Sequence, residues 1–323
     1  MQLTWSISRD QTLHACERKY YFQYLAPARI DSHNKILQEI AFLKKVTSIP
    51  MWKGKVFHSL VAEYLSEVKI GKKTPLSDLI NSYRQQMEEQ WKFSASNSST
   101  IGNIIPGNAF LLQEHLYQKN ISENTLKDVI QDIGERMKRF DSWAENTHLY
   151  TDIIRSPQVW IESPTYGRKT TSFELDGIQI VTRVDLALTS GGRFTIFDWK
   201  TSAPSRSAYL LTQSEFQAAV YQLWPHFKLG VDLSNISAQF VHFTDSGLKR
   251  KSFKIGKNMR EYTLSLIRRS ISRMNYYEQI HHDRSQSTLD GSSHLTLGDL
   301  DYARSEKSCV YCSFKRVCQE ELE

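Results

Sequence analysis

Residues 180–202, reading IVTRVDLALTSGGRFTIFDWKTS, constrain the fold more than any other part of the chain. Two runs rich in β-branched and aromatic residues flank Gly191-Gly192. A two-residue hairpin turn of the primed type needs the positive φ that glycine takes without steric penalty, so the glycines predict an antiparallel hairpin in which Ser190 meets Arg193. That register sets Asp185 opposite Asp198, where Cβ atoms lie about 4.5 to 5.5 Å apart, close enough for two carboxylates to share one divalent cation. Lys200, two residues beyond Asp198, points to the same side because side chains alternate along a strand. Val184, Leu186, Phe197 and Trp199 fall on the opposite face, an apolar set suited to packing beneath a helix. Like charges in register destabilise a hairpin unless something lies between them, so the pattern predicts a metal site or a carboxyl group of raised pKa. The plainer reading is an open sheet face on which Asp185 and Asp198 are solvated and paired with Arg183 and Lys200.

Around the hairpin the period of the apolar residues changes. Leu13, Cys16, Tyr20 and Tyr24 at helical spacing predict a helix over 9–24 capped by Ser8, and further helices fall at 54–68, 77–93 and 122–146. Residues 94–107 (SASNSSTIGNIIPG) read as a loop. Strands are expected at 159–162, 172–175, 178–188, 193–199, 236–243 and 249–255, with helices at 214–227 and 259–281. The fold class is therefore α/β: a mixed central sheet flanked by helices, with a helical N-terminal region and a C-terminal cysteine knuckle. Residues 1–52 form the N-terminal part, 53–281 the main body with a helical insertion at 71–151, 282–294 a link, and 295–323 the knuckle.

The chain has 323 residues, of which 40% are hydrophobic, enough to bury the core of one large or two modest domains. No run approaches the roughly 18 apolar residues of a membrane span, and the first residues lack the basic-then-apolar pattern of a signal peptide. A cytoplasmic protein with no membrane partner is expected. The net charge of +6 leans towards an anionic partner. Of the four cysteines, Cys16 stands apart, while Cys309, Cys312 and Cys318 lie together with two and five residues between them. A reducing compartment disfavours disulfides, and four soft thiolates suit a 4Fe-4S cluster or structural zinc.

These residues together resemble the PD-(D/E)XK nuclease superfamily, and within it the RecB-like iron-sulfur branch. That branch is similar to the CRISPR adaptation nucleases and to the nuclease domains of helicase-nuclease machines. Four motifs agree in order: Gly54-Lys55-Val56-Phe57-His58, Arg183-Val184-Asp185, Asp198-Trp199-Lys200-Thr201 and Gln217-Ala218-Ala219-Val220-Tyr221. The cysteine layout also matches the branch, with Ser6-Ile7-Ser8 before Cys16 and the aromatic run Tyr20-Tyr21-Phe22 after it. One position departs: Thr182 stands where the family commonly has glycine, three residues before the lone aspartate. No motif falls in 71–151.

The resemblance implies a Mg2+- or Mn2+-dependent deoxyribonuclease. His58, Asp185, Asp198 and the Trp199 carbonyl would hold the metal, Lys200 would act on the attacking water, and Gln217 and Tyr221 would orient the lysine or touch phosphate. Cys16, Cys309, Cys312 and Cys318 would hold the 4Fe-4S cluster. The expected substrate is single-stranded DNA or duplex ends, cut in an exonuclease-like manner in repair, CRISPR adaptation or defence, with a helicase or defence protein as possible partner. Glu162 is a further acidic candidate, Arg18, Lys19, Arg183, Lys249, Arg250 and Lys251 are candidate phosphate contacts, and Tyr20, Tyr21 and Trp52 are candidates for base stacking. Two other readings compete: a non-catalytic DNA-end-binding subunit, and a zinc-cysteine nucleic-acid-binding protein.

Overall fold

The computed structural model describes residues 3–26, 35–72, 74–98, 105, 109–117, 121–122, 124–162, 171–201, 212–244, 247–286, 300–301, 303, 309–310 and 312–319. The chain begins with β1 (Thr4–Ser6), α1 (Ile7–Ala15) and α2 (Glu17–Tyr20), the last passing into a π-helical turn at Tyr21–Leu25. Next come α3 (Lys35–Leu43), β2 (Val46–Thr47), α4 (Ile49–Lys69) and α5 (Leu76–Asn97). They are followed by β3 (Leu111–Leu112), α6 (Gln113–Leu116), α7 (Thr125–Asn146) and α8 (Leu149–Arg155). Five strands run in succession, β4 (Val159–Ile161), β5 (Thr171–Leu175), β6 (Ile178–Thr182), β7 (Leu186–Ser190) and β8 (Arg193–Lys200). Last are α9 (Gln213–Leu229), β9 (Ile236–Thr244), β10 (Gly247–Phe253), α10 (Lys257–Gln286) and α11 (Lys315–Gln319).

The fold is a mixed α/β arrangement of sheets flanked by helices, as the residue pattern predicts. It divides into two compact units, each assembled from separated stretches: Met1–Trp5, Pro50–Glu88 and Glu123–Leu266 in one, and Ser6–Ile49, Glu89–Ser122 and Ile267–Glu323 in the other.

The first unit is built on a five-stranded sheet in the order β10-β9-β8-β7-β4. The predicted hairpin register holds from Ser190↔Arg193 to Leu186↔Phe197, with Gly191 and Gly192 at φ 54° and 75°. β8 and β9 are parallel, and α9 is the crossover between them, because parallel neighbours need a long connection. One sheet face packs Phe197, Trp199 and Phe243 against Phe57 of α4 and Phe140 and Trp143 of α7, with Phe140 5.2 Å from Trp199 and 5.7 Å from Phe243 between ring centroids. The other face carries Phe194 under Trp224 of α9. A smaller sheet in the order β1-β6-β5 belongs to the same unit.

The strand expected over 178–188 is two strands. β6 joins the small sheet and β7 the large one, and residues 183–185 pass between them outside both ladders, because one regular strand cannot keep its edge pairing in two separate sheets. Thr182 closes the first ladder as a fully buried residue, its hydroxyl 3.1 Å from the Thr171 carbonyl and 3.0 Å from the Thr171 hydroxyl. A threonine-threonine pair fills the position where the resembled family commonly has glycine.

In the second unit the expected helix over 9–24 is interrupted. Ser6, not Ser8, is the N-cap, its hydroxyl accepting from Arg9 N. Cys16 is extended, at φ −167° and ψ 118°, and ends α1 while capping α2 with its sulfur. The predicted loop 94–107 is helical as far as Asn97. Ser94 is buried there, its hydroxyl accepting from Leu112 N at 2.7 Å and lying 2.8 Å from His115 Nδ1, so a tertiary partner overrides polar composition. The predicted link at 282–294 begins as helix, since α10 continues to Gln286: extending a formed helix is far easier than starting one. The rest of that link lies outside the described residues. Phe22 stacks beside Phe314 with centroids 5.5 Å apart, and Glu17 pairs with Arg273 and accepts from Asp301 N, so early and late segments share one core.

Candidate active site

The polar groups singled out in the hairpin gather where β7 begins and β8 ends. Asp185 lies just before the first ladder residue of β7. Its Oδ2 accepts from Trp199 N at 2.7 Å, its Oδ1 is 2.9 Å from His58 Nδ1, and its carbonyl accepts from Glu162 N at 3.2 Å. The break between β6 and β7 thus frees a carboxylate that remains tethered to β8. His58 is delivered by α4, whose Phe57 sits in the aromatic cluster one residue away. A Cβ on Gly54 would meet Thr201 Oγ1 at 3.6 Å, an ordinary contact, so the Gly54-to-His58 turn lies beside the end of the Asp198-to-Thr201 segment.

Asp198 is the buried member of the group, its side chain 4% exposed against 25% for Lys200. Its Oδ1 accepts from Tyr221 Oη at 3.1 Å and from Gln217 Nε2 at 3.2 Å. Gln217 Oε1 in turn accepts from Lys200 Nζ at 3.0 Å. Gln217 and Tyr221 are four residues apart on α9, hence on one helical face, and Gln217 Nε2 lies 2.6 Å from Tyr221 Oη. Thr212 and Glu215 form a reciprocal capping box that fixes the start of this helix.

Asp198 Oδ2 accepts no hydrogen bond. Its neighbour there is the Lys200 ammonium, with Nζ 2.7 Å away as an ion pair. Burial pushes the Asp198 carboxyl up to about 6; Lys200 opposes this and the Asp185 charge adds to it. Burial alone would push His58 down, but Asp185 beside it, helped by Asp198, leaves the imidazole above its ordinary value. Burial, followed by the two aspartates, holds Tyr221 far above the usual phenol range, so its hydroxyl keeps its proton. A buried, partly unsatisfied carboxylate beside an imidazole and a second carboxylate is a donor set that suits a hard divalent cation. Among the described residues no set of three or more His, Cys, Asp and Glu side chains is gathered closely enough to enclose a metal ion; His58 and Asp185 are bonded to each other instead.

Sequence reasoning missed Arg136. Its guanidinium, buried on α7, donates to Asp132 Oδ2 at 2.8 Å, to the Thr201 carbonyl at 3.1 Å and to the Phe243 carbonyl. It thereby ties the ends of β8 and β9 together, and Lys53 completes the group at 2.7 Å from Asp132. The signal was an arginine inside the apolar stripe Val129, Ile133, Met137 and Phe140. Of the remaining candidates, Arg18, Tyr20, Tyr21 and Trp52 are buried and cannot meet DNA as drawn from the sequence, because their aromatic and aliphatic parts fill cores. Glu162 lies 4.0 Å from the exposed Arg183.

The cysteines lie in the second unit, and none is in a disulfide. Cys16 Sγ accepts from Lys19 N at 3.4 Å, and Arg18 Nη1 is 3.9 Å from Cys318 Sγ. Burial, with the Cys318 and Cys309 thiolates, pushes the Cys16 thiol up, while burial, Cys16 and Cys318 do the same to Cys312. Cys16 and Cys312 thus lie within reach of other thiols, although among the described residues no three of the four cysteines are gathered closely enough to enclose a metal ion.

A sheet with helices on both faces and a cluster of carboxylates, imidazole and amine at one strand end has the make-up of an α/β hydrolytic core. The profile of the PD-(D/E)XK nuclease superfamily matches residues 4–319, and the chain belongs to that superfamily of nucleases. Among solved structures it is similar to SSO0001, at 13% identity and TM-score 0.30 over 74% of this chain and 98% of that one. It is also similar to a Eubacterium rectale protein named "Putative exonuclease", at 11% identity and TM-score 0.41 over 85% of this chain and 81% of that one. No curated protein matches the sequence. Among the described residues no helix is long and apolar enough to cross a membrane.

Proposed function

We propose that this nuclease is a Mg2+- or Mn2+-dependent deoxyribonuclease of the RecB-like type, acting on single strands or DNA ends in an exonuclease-like manner. The observation that carries the reading is the buried Asp198 carboxylate, held by Tyr221 and Gln217 through one oxygen and facing only the Lys200 ammonium at the other. His58, Asp185, Asp198 and the Trp199 carbonyl would hold the cation. When bound, the cation supplies an activated water and offsets charge on the scissile phosphate. Tyr221, which keeps its proton, donates to Asp198 Oδ1 and so fixes the carboxylate that would bind the cation. Lys200 Nζ, oriented by Gln217 Oε1, would position the attacking water and neutralise charge as it develops on the phosphoryl oxygens.

Cys16, Cys309, Cys312 and Cys318 would hold a 4Fe-4S cluster, as the resemblance implies, with Arg18 donating towards Cys318. Repair, CRISPR adaptation and defence all fit this motif set, with a helicase or defence protein as the partner. The decisive experiment incubates anaerobically purified protein, its iron quantified, with labelled DNA in Mn2+ and in EDTA. Cleavage is expected only with metal and is expected to vanish in Lys200→Ala while the circular dichroism spectrum stays unchanged. Parent-rate cutting by Lys200→Ala would remove the assigned mechanism.

A further inference from the structure

We propose that the β10 edge of the large sheet is the track along which a nucleic-acid backbone runs to the candidate site, with Lys249 and Arg250 contacting phosphates; the inference rests on the nuclease reading above. Register places the track. Lys200 pairs with His242 across β8 and β9, and His242 pairs with Lys249 across β9 and β10. Directly opposed residues share a sheet face, so Lys249 stands on the face that carries Lys200, two strand spacings or about 9.6 Å away. The row beside it runs Asp198, Phe240, Lys251. The candidate site and the edge thus lie on one sheet face, in a row with a cation at each end and the buried His242 between them.

Charge and exposure point the same way. Residues 247–257 hold five cations, Lys249, Arg250, Lys251, Lys254 and Lys257, and no Asp or Glu, whereas the whole chain is only +6. This one segment carries a surplus nearly as large as that of all 323 residues. β10 is an end strand of its sheet, and its residues 248–252 are exposed. Lys251 is engaged, 3.2 Å from Glu215 and over the Phe253 ring. The Lys249 and Arg250 side chains make no hydrogen bond or ion pair with any described residue. A polyanion whose cleaved phosphate sits at Lys200 would meet Lys249 next on the same face and, rounding the open edge of β10, Arg250, which lies in the row of Trp199 and Val241 on the opposite face. Such contacts supply most of the sequence-independent affinity for nucleic acid.

Lysines on an edge strand also guard against edge-to-edge pairing, and the test separates the two roles. Binding of a fluorescent single-stranded oligonucleotide is measured in Ca2+ over a range of salt concentrations, for the parent, for Lys249→Gln/Arg250→Gln and for Lys249→Arg. The double variant is expected to bind more weakly, with the slope of log affinity against log salt reduced by about 0.7 for each phosphate that is no longer neutralised. Lys249→Arg keeps the parent slope. Unchanged affinity and slope in the double variant overturn the proposal, as does a double variant that self-associates in sedimentation while binding DNA like the parent. A parent protein that neither binds nor cuts DNA is a different failure, that of the nuclease reading itself.

Discussion

Gln217 is the residue through which the candidate site is most open to dissection. It accepts from Lys200 and donates to Asp198, so removing it leaves both groups present but unaligned. Gln217→Leu is expected to lower kcat about 10- to 100-fold, the usual cost of losing a residue that orients a ligand, with the protein still folded. A kcat equal to that of the parent would show that the amide is dispensable. Asp132 carries a pH prediction at the same scale. Burial would raise its pKa, but hydrogen bonds from Arg136 and Lys53 more than reverse this and hold the carboxyl below its ordinary value. A depressed carboxylate contributes stability above its unfolded pKa, and that contribution is lost as pH falls through the lower folded value. Urea midpoints recorded from about pH 7 down to about pH 3 should fall more steeply for the parent than for Asp132→Asn. Identical acid limbs would mean that the pair contributes nothing.

At the scale of elements, α7 and α9 do different work on the same strands. α9 delivers Gln217 and Tyr221 from one face, and its capping box predicts that Thr212→Ala costs about 1 kcal/mol in chemical denaturation. From the other side α7 holds the strand ends through Arg136. Removing a buried, fully engaged guanidinium deprives the Thr201 and Phe243 carbonyls of this donor and leaves Asp132 with Lys53 alone, and Arg136→Met is expected to destabilise by about 3 kcal/mol. α4 offers the opposite sign. A Cβ at Gly54 meets only an ordinary contact, and alanine is favoured over glycine inside a helix, so Gly54→Ala should stabilise by about 1 kcal/mol. A fall in the melting temperature of that variant would show that the helix cannot accept even a methyl group there.

For the whole molecule, the late cysteines and Cys16 share a unit although 292 residues separate Cys16 from Cys309. A metal group bound to all four would close a loop of that length, and the entropic gain of closure grows with loop length, though slowly. If the proposed cluster is bound, Cys309→Ser is expected to lose its iron and brown colour and to melt at lower temperature than the parent. Unchanged colour and iron content would remove the cluster assignment.

The fold class and the hairpin register were legible in the sequence because both follow from local rules: side chains alternate along a strand, and Gly191-Gly192 admits few turns. The helical spacing of Gln217 and Tyr221 was legible for the same reason. Where a strand must leave one sheet for another is not a local matter, so the break that frees Asp185 was hidden inside an unbroken β-like run. Nor could spacing reveal that Cys16 ends one helix and caps the next, or that Arg136 reaches two carbonyls more than sixty residues away in sequence. Local periodicity determines what an element is, whereas the pairing of buried polar groups depends on which distant elements meet.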